Sequence, residues 1–268
     1  MFQTNLAPCD LGQIADSGQC FRMQPGDDGW WRLCARDACV YARQEGDSLF
    51  FDCTEDAWQA HWRDYLDWDT DYQAILDRVP PEDGFLSAAA AYGSGLRILR
   101  QDLWETLITF VISQNNNIPR IRGAVEAICR TWGEARTDSR GQVYYTFPGK
   151  DALAQASVEE LRAAGLGYRD RYVHAIAHSD FDAAAVAGMN RTAAYEALLA
   201  LPGVGKKVAD CVRLFGLHDL AAFPVDTWIR RMCQTHYGGA FPVERYAGFA
   251  GVIQQYIFFY GRTQNGKI

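Results

Sequence analysis

The run Leu-Pro-Gly-Val-Gly-Lys-Lys at residues 201–207 constrains this chain more than any other stretch, because it separates two helical patterns, 191–199 and 206–215, with almost no linker. Two glycines let such a connection fold back as a tight helix-hairpin-helix over about residues 191–215, with backbone N–H groups aimed outward at the start of the second helix. Unpaired amides and the helix dipole together make an anion site that needs no side-chain charge. A plain turn between packed helices explains the same spacing, and Gly203 and Gly205 alone do not separate the two readings. The lysines are equally two-sided. In the first turn of a helix Lys207 sits where the dipole disfavours a cation, and Lys206 beside it adds like-charge repulsion, so both effects favour a neutral, nucleophilic amine. Two solvated lysines are the plainer alternative. Downstream, Asp226 of Phe-Pro-Val-Asp has the position of a helix N-cap, while a short helix and loop could also return its carboxylate toward Lys207 to stabilise positive charge.

The remaining periodicity predicts an α+β chain: an N-terminal antiparallel sheet with helices over residues 1–95, then a mostly helical core over 96–268. From Cys20 to Cys53, short apolar and aromatic stretches alternate with turn signals, as in a meander. Trp58, Trp62 and Tyr65 then fall at helical spacing, and a second helix through 71–79 ends before Pro80-Pro81. In the helical part, 102–114 is apolar on nearly every side and reads as a buried central helix, with Asp102 and Glu105 at capping-box spacing. Further helices are expected at 118–131 and 157–164, the latter with Ser157 and Glu160 as a second capping box and Gly165 as its stop. A small hairpin is expected within 133–150.

Net charge enters here because an anion site needs a partner. The chain of 268 residues carries a formal charge of -7, which argues against nucleic acid until the distribution is counted. Residues 1–95 hold 17 acidic and 6 basic side chains; the remainder hold 16 and 20, so a local basic face on the C-terminal two-thirds is open. No apolar run approaches the roughly 18 residues of a membrane span, and the N-terminus lacks the charged and apolar regions of a signal peptide. An intracellular protein without a membrane partner is expected. Eight cysteines, scattered without repeated short spacings, predict neither disulfides nor a metal cluster.

Phe-Pro-Val-Asp after the Gly-Val-Gly-Lys-Lys hairpin resembles the helix-hairpin-helix DNA glycosylases, with their catalytic lysine and aspartate. Three further stretches, in the same chain order, narrow the match: SGQCFRM at 17–23, SQNNNIPRI at 113–121 and GLGYRDRYV at 165–173 resemble the 8-oxoguanine DNA glycosylase/AP lyase family over nearly the whole chain. Only Cys233 follows Asp226, whereas the iron-sulfur branches of the superfamily carry four clustered cysteines there.

The resemblance implies a bifunctional enzyme of base excision repair, in which Lys207 attacks C1′ of an everted 8-oxoguanine nucleotide, forms a Schiff base and nicks the strand by β-elimination, with Asp226 stabilising the developing charge. It implies that the Gly18 carbonyl reads the N7 hydrogen peculiar to 8-oxoguanine, and that the base lies between Cys211 and Phe258 with Gln254 on its Watson-Crick edge. Asn115 would fill the vacated gap, Arg120 and Arg169 would read the opposite cytosine, Tyr168 would wedge between bases, and Gly203 and Gly205 would grip phosphate. The implied partner is double-stranded DNA containing oxidised guanine, met by a monomer with no cofactor and no metal, in a bacterial cytoplasm at the nucleoid or in a eukaryotic nucleus. Two departures stand out: Trp228 occupies a position where a phosphate-contacting histidine is common, and Cys20 replaces a common serine. A glycosylase of the same fold for a different lesion, and a noncatalytic helix-hairpin-helix DNA-binding module, are the alternatives.

Overall fold

The sheet is a meander completed by a strand from the N-terminus, distant from its partner in sequence. In the computed structural model, which describes residues 1–265, four strands form the meander: β2 (Met23–Pro25), β3 (Trp31–Ala35), β4 (Ala38–Glu45) and β5 (Ser48–Phe51). The N-terminal strand β1 (Phe2–Asn5) then pairs with β5, giving the antiparallel order β1-β5-β4-β3-β2. Leu33, Val40, Leu49 and Phe51 are buried on one face of this sheet, in a core shared with Leu11 and Ile14 of the Leu11–Asp16 helix and with Trp58, Trp62 and Tyr65. The last three are helical as expected, but the segment passes through a π-helical turn at Trp58–Trp62. Trp58 stacks on Phe2 and packs against Phe51 and Trp68, with ring centroids 4.5–5.1 Å apart.

The central helix is Leu103–Ser113, buried from Leu103 to Ile112 except at Glu105. Its capping box is only half made. Asp102 accepts from the Glu105 amide at 2.8 Å, but the Glu105 carboxylate turns away to Arg22 of the N-terminal part, 3.3 Å off. The Ser157–Glu160 box is complete, with Ser157 N–H to Glu160 at 2.9 Å and Glu160 N–H to the Ser157 hydroxyl at 3.2 Å. The helix after it breaks at Gly165 as expected: Val158–Leu161 continues through a wider turn, Arg162–Leu166, within which Gly165 leaves helical geometry at φ +93°, a conformation that favours glycine. The small hairpin is β6 (Ala135–Thr137) with β7 (Val143–Tyr145).

The two hydrophobic cores interleave along the chain. Tyr72, Ile75, Leu86, Ala89 and Ala90 belong to the helical core, whereas Leu99 packs with the sheet. The helical core includes Val208, Cys211 and Phe215 of the Lys206–Gly216 helix and Ile253 and Ile257 of the C-terminal helix, Ala250–Asn265. Polar groups weld the junction. Arg97, 1% exposed, donates to the backbone carbonyls of Pro8, Leu66, Asp67, Trp68 and Thr70. Asp67, equally buried, accepts from Tyr72, Thr70 and Arg100 and meets His218 Nε2 at 3.1 Å.

Burial pushes the Asp67 carboxyl up, but the His218 hydrogen bond and charge, with the Tyr72 and Thr70 hydroxyls, outweigh it and hold the group at about 2. Because the folded value lies below the unfolded one, Asp67 contributes stability above about pH 4 that is lost as pH falls toward 2. Asp67→Asn should therefore cost roughly 2 kcal/mol at pH 7 and converge with the wild type near pH 2. Urea denaturation across that range measures this, and two parallel stability curves would refute it.

Candidate nucleic-acid interface and active site

The hairpin connects Arg191–Leu199 to Lys206–Gly216 and holds its glycines for two different reasons. Gly203 adopts φ +75°, and a Cβ there would lie 2.4 Å from Cγ of Tyr172, so any side chain collides with the ring. Gly205 has ordinary φ and open space where its Cβ would stand. As the N-cap of the second helix it offers no side-chain acceptor, so the first-turn amides point outward without a cap. Lys206 is exposed on that turn, while Lys207 is half-buried with its amine 5.3 Å over the Phe110 ring.

Lys207 faces a cavity of about 1010 Å³ that gathers most of the residues singled out in the sequence. Gly18, Asn115, Arg120, Tyr168, Gly205, Lys207, Cys211, Asp226, Gln254 and Phe258 all line it. Gly203 and Arg169 do not. Asp226 caps the Thr227–His236 helix, accepting from the Ile229 amide at 2.8 Å, so the capping role and the cavity position coexist. Cys211, one turn beyond Lys207, is buried. Burial raises its thiol, and the charge and side-chain hydrogen bond of Lys207 offset part of that rise.

Gly18 is held between two anchored neighbours. Gln19 donates to the Ser17 hydroxyl at 2.9 Å and to the Arg97 carbonyl at 2.8 Å, and accepts from the Leu99 amide. Gly18 itself has φ +78°, and the point where its Cβ would stand is 3.6 Å from the Phe258 ring. The two residues sit face to face across the cavity wall. Gln254 is more committed than the sequence suggests. Its amide donates to the Pro224 carbonyl at 3.1 Å and accepts from Gln255 at 2.9 Å. Because a carbonyl can only accept, Pro224 fixes the polarity of both amides, and Gln255 Oε1 is left buried with no partner among the described residues.

Across the cavity mouth, Asn115 is exposed at φ +47°, a left-handed conformation asparagine tolerates better than most residues. Arg120 is exposed on the Ile118–Trp132 helix, whose N-cap is Asn117. Tyr168 is 54% exposed and its hydroxyl reaches the Gln114 carbonyl at 3.4 Å. Arg169, by contrast, is buried: Nε donates to the Gln114 carbonyl at 2.7 Å, Nη2 to the Asn115 carbonyl at 2.9 Å and Nη1 to the Leu166 carbonyl at 3.1 Å. It braces the Asn115 turn and does not face outward. Gln114, which the sequence reading did not single out, completes the brace by donating to the Gly203 carbonyl at 3.1 Å. Phe110, Gln255, Arg230 and Arg262 also line the cavity without having been foreseen. Phe110 carried no signal beyond that of a core residue. Trp228 lines the cavity half-buried, whereas Cys20 is buried in the core under the sheet, its thiol pushed up to about 12 by burial.

A lysine and an aspartate on one cavity beside an uncapped helix start are the features of a helix-hairpin-helix base-excision glycosylase. Residues 108–241 match the HhH-GPD superfamily of base excision DNA repair proteins, and residues 1–107 match the N-terminal domain of 8-oxoguanine DNA glycosylase. The chain is 34% identical over 204 residues to the N-glycosylase/DNA lyase of Saccharomyces cerevisiae, a match covering 69% of this chain and 54% of the yeast protein. It is 34% identical over 213 residues to a protein of Methanothermobacter thermautotrophicus named a probable N-glycosylase/DNA lyase, covering 68% of each. The 8-oxoguanine glycosylase/lyase of Clostridium acetobutylicum, solved with double-stranded DNA containing cytosine opposite 8-oxoguanine, superposes with a TM-score of 0.90 at 30% identity, covering 96% of this chain and 93% of that one. The chain belongs to the 8-oxoguanine DNA glycosylase/AP lyase family. Against the yeast relative the match spans about half of that protein's length.

Proposed function

We propose that this protein excises 8-oxoguanine from double-stranded DNA as a bifunctional glycosylase and AP lyase, preferring cytosine opposite the lesion. The convergence of Lys207, Asp226, Gly18 and Phe258 on one cavity carries the reading. The cavity admits an everted nucleotide, and the uncapped amides after Gly205 suit a backbone phosphate beside it. Phe258 and Cys211 offer the apolar walls between which a purine ring stacks. The Gly18 carbonyl accepts the N7 hydrogen that 8-oxoguanine has and guanine lacks, and the missing Cβ lets the base approach.

In the chemical step the Lys207 nitrogen, as the free amine, bonds to C1′ as the C1′–N9 bond breaks and the base leaves with the electron pair. Asp226 stabilises the positive charge that builds on the sugar. Ring opening gives the Schiff base, loss of a proton from C2′ expels the 3′ phosphate, and hydrolysis frees the lysine. Asn115 fills the vacated stack, and Arg120 and Arg169 supply donors for the O2 and N3 acceptors of cytosine. For Arg169 this requires release of its backbone carbonyls when DNA binds.

The test is an excision panel: 8-oxoguanine opposite each of the four bases, beside duplexes carrying alkylated or deaminated bases. Cytosine should be favoured over adenine by roughly tenfold or more, the worth of one good donor-acceptor pairing. Faster excision of any other lesion would transfer the assignment to that base. No excision of any lesion, with DNA still bound, would leave a binding module.

A further inference from the structure

Cys34 and Cys39 stand directly opposite each other on β3 and β4, and their sulfur atoms are 3.1 Å apart. The Cys34 amide donates to the carbonyl of Arg22, the residue before β2, so it points away from Cys39. The cysteines therefore form the closer, non-hydrogen-bonded type of cross-strand pair, whose Cα separation falls within the range a disulfide spans. Both thiols, like that of Cys53, are half-buried, whereas Cys9, Cys20, Cys129, Cys211 and Cys233 are buried. Cys34 also lines a cavity of about 30 Å³ with Arg22, Arg32, Tyr144 and Tyr145. That volume holds one molecule of about the size of water. Arg32 brings to it a buried Nε with no partner among the described residues. A cysteine, an arginine with an unused donor and room for one small polar molecule make a site for a hydroperoxide.

We propose that Cys34 and Cys39 are a peroxide-reactive dithiol that closes to a disulfide across β3 and β4. The Cys34 sulfur attacks one peroxide oxygen and the O–O bond breaks. The sulfur becomes a sulfenic acid, and the departing oxygen leaves as water with the thiol proton. The Cys39 sulfur then attacks the Cys34 sulfur, the S–O bond breaks, and a second water leaves with the Cys39 proton. Two thiols lose two electrons and one peroxide becomes two waters. The hydrogen bond from Cys39 holds the Cys34 thiol below its ordinary range despite burial, with Arg22 and Arg32 assisting; burial pushes the thiols of Cys9 and Cys129 to about 12. Attack therefore begins at Cys34. The spacing of the two cysteines in sequence does not suggest a disulfide, because the pairing is made by the sheet register and not by the chain.

Arg36 lies between the two cysteines, so trypsin cuts the chain there and only a disulfide keeps the two peptides together. The full chain, reduced, desalted and treated with stoichiometric hydrogen peroxide, should yield Leu33–Arg36 joined to Asp37–Arg43, two hydrogens lighter than the separate peptides and parted by reductant. Cys39→Ser should instead leave a sulfenic acid on Cys34 that dimedone captures. Cys34→Ser should leave Cys39 unreacted. Cys34 should be oxidised at least roughly a hundredfold faster than Cys9 or Cys129, following their thiolate fractions. Oxidation of any other cysteine first, or over-oxidation of Cys34 with Cys39 still free, would overturn the proposal.

Discussion

Lys207→Gln should abolish the covalent complex that borohydride traps on a duplex holding 8-oxoguanine opposite cytosine, and slow excision by at least about a thousandfold. Glutamine is nearly as long as lysine and is tolerated over the Phe110 ring, so the variant should fold and bind DNA within about tenfold of the wild type. Lys206→Gln isolates the effect. Lys206 is exposed on the same turn and contributes charge but no reacting atom, so trapping should survive and excision should stay within about threefold. A trapped complex that persists in Lys207→Gln and vanishes in Lys206→Gln would move the nucleophile by one residue and overturn the assignment of Lys207.

Arg97→Met should destabilise the protein by about 3–5 kcal/mol, a loss typical of removing one partner from a buried polar network. Methionine fills much of the volume but satisfies none of the carbonyls of Pro8, Leu66, Asp67, Trp68 and Thr70, which burial denies to water. Arg97→Lys should fall between the two, because an ammonium has three donors and no planar fork to reach carbonyls from several directions. Urea midpoints measure both. A loss below about 1 kcal/mol for methionine would mean that water replaces the guanidinium. The damage should also reach the cavity, because the Arg97 carbonyl anchors Gln19, which anchors Gly18.

The parts of the fold legible in sequence were those whose signals are local. From Cys20 to Cys53 apolar stretches alternate with turn signals over a few residues each, and the Ser157–Glu160 box involves four consecutive residues. Strand β1 was missed because its four residues become a strand only by pairing with β5, nearly fifty residues away. Glu105 was misread for the same reason: a capping partner three residues back competes with Arg22, brought from far along the chain, and the buried ion pair wins. The cavity followed suit. Lys207, Asp226 and Gly18 sit in stretches whose short-range pattern is distinctive, and all three line it. Gln114, Phe110 and Gln255 were invisible, since nothing near them in sequence shows that Gly203 or an amine will lie against the first two, or that the Pro224 carbonyl will turn the Gln254 amide toward the third. The bracing of Arg169 by three backbone carbonyls is likewise a property of turns that have to form first.

The uncapped helix start after Gly205 has one more consequence. A phosphate held by backbone amides is gripped by dipoles, and dipoles do not displace condensed cations from DNA as lysine and arginine do. The salt dependence of DNA binding should therefore come from exposed cations such as Lys206, Arg120 and Arg230 and owe nothing to this contact.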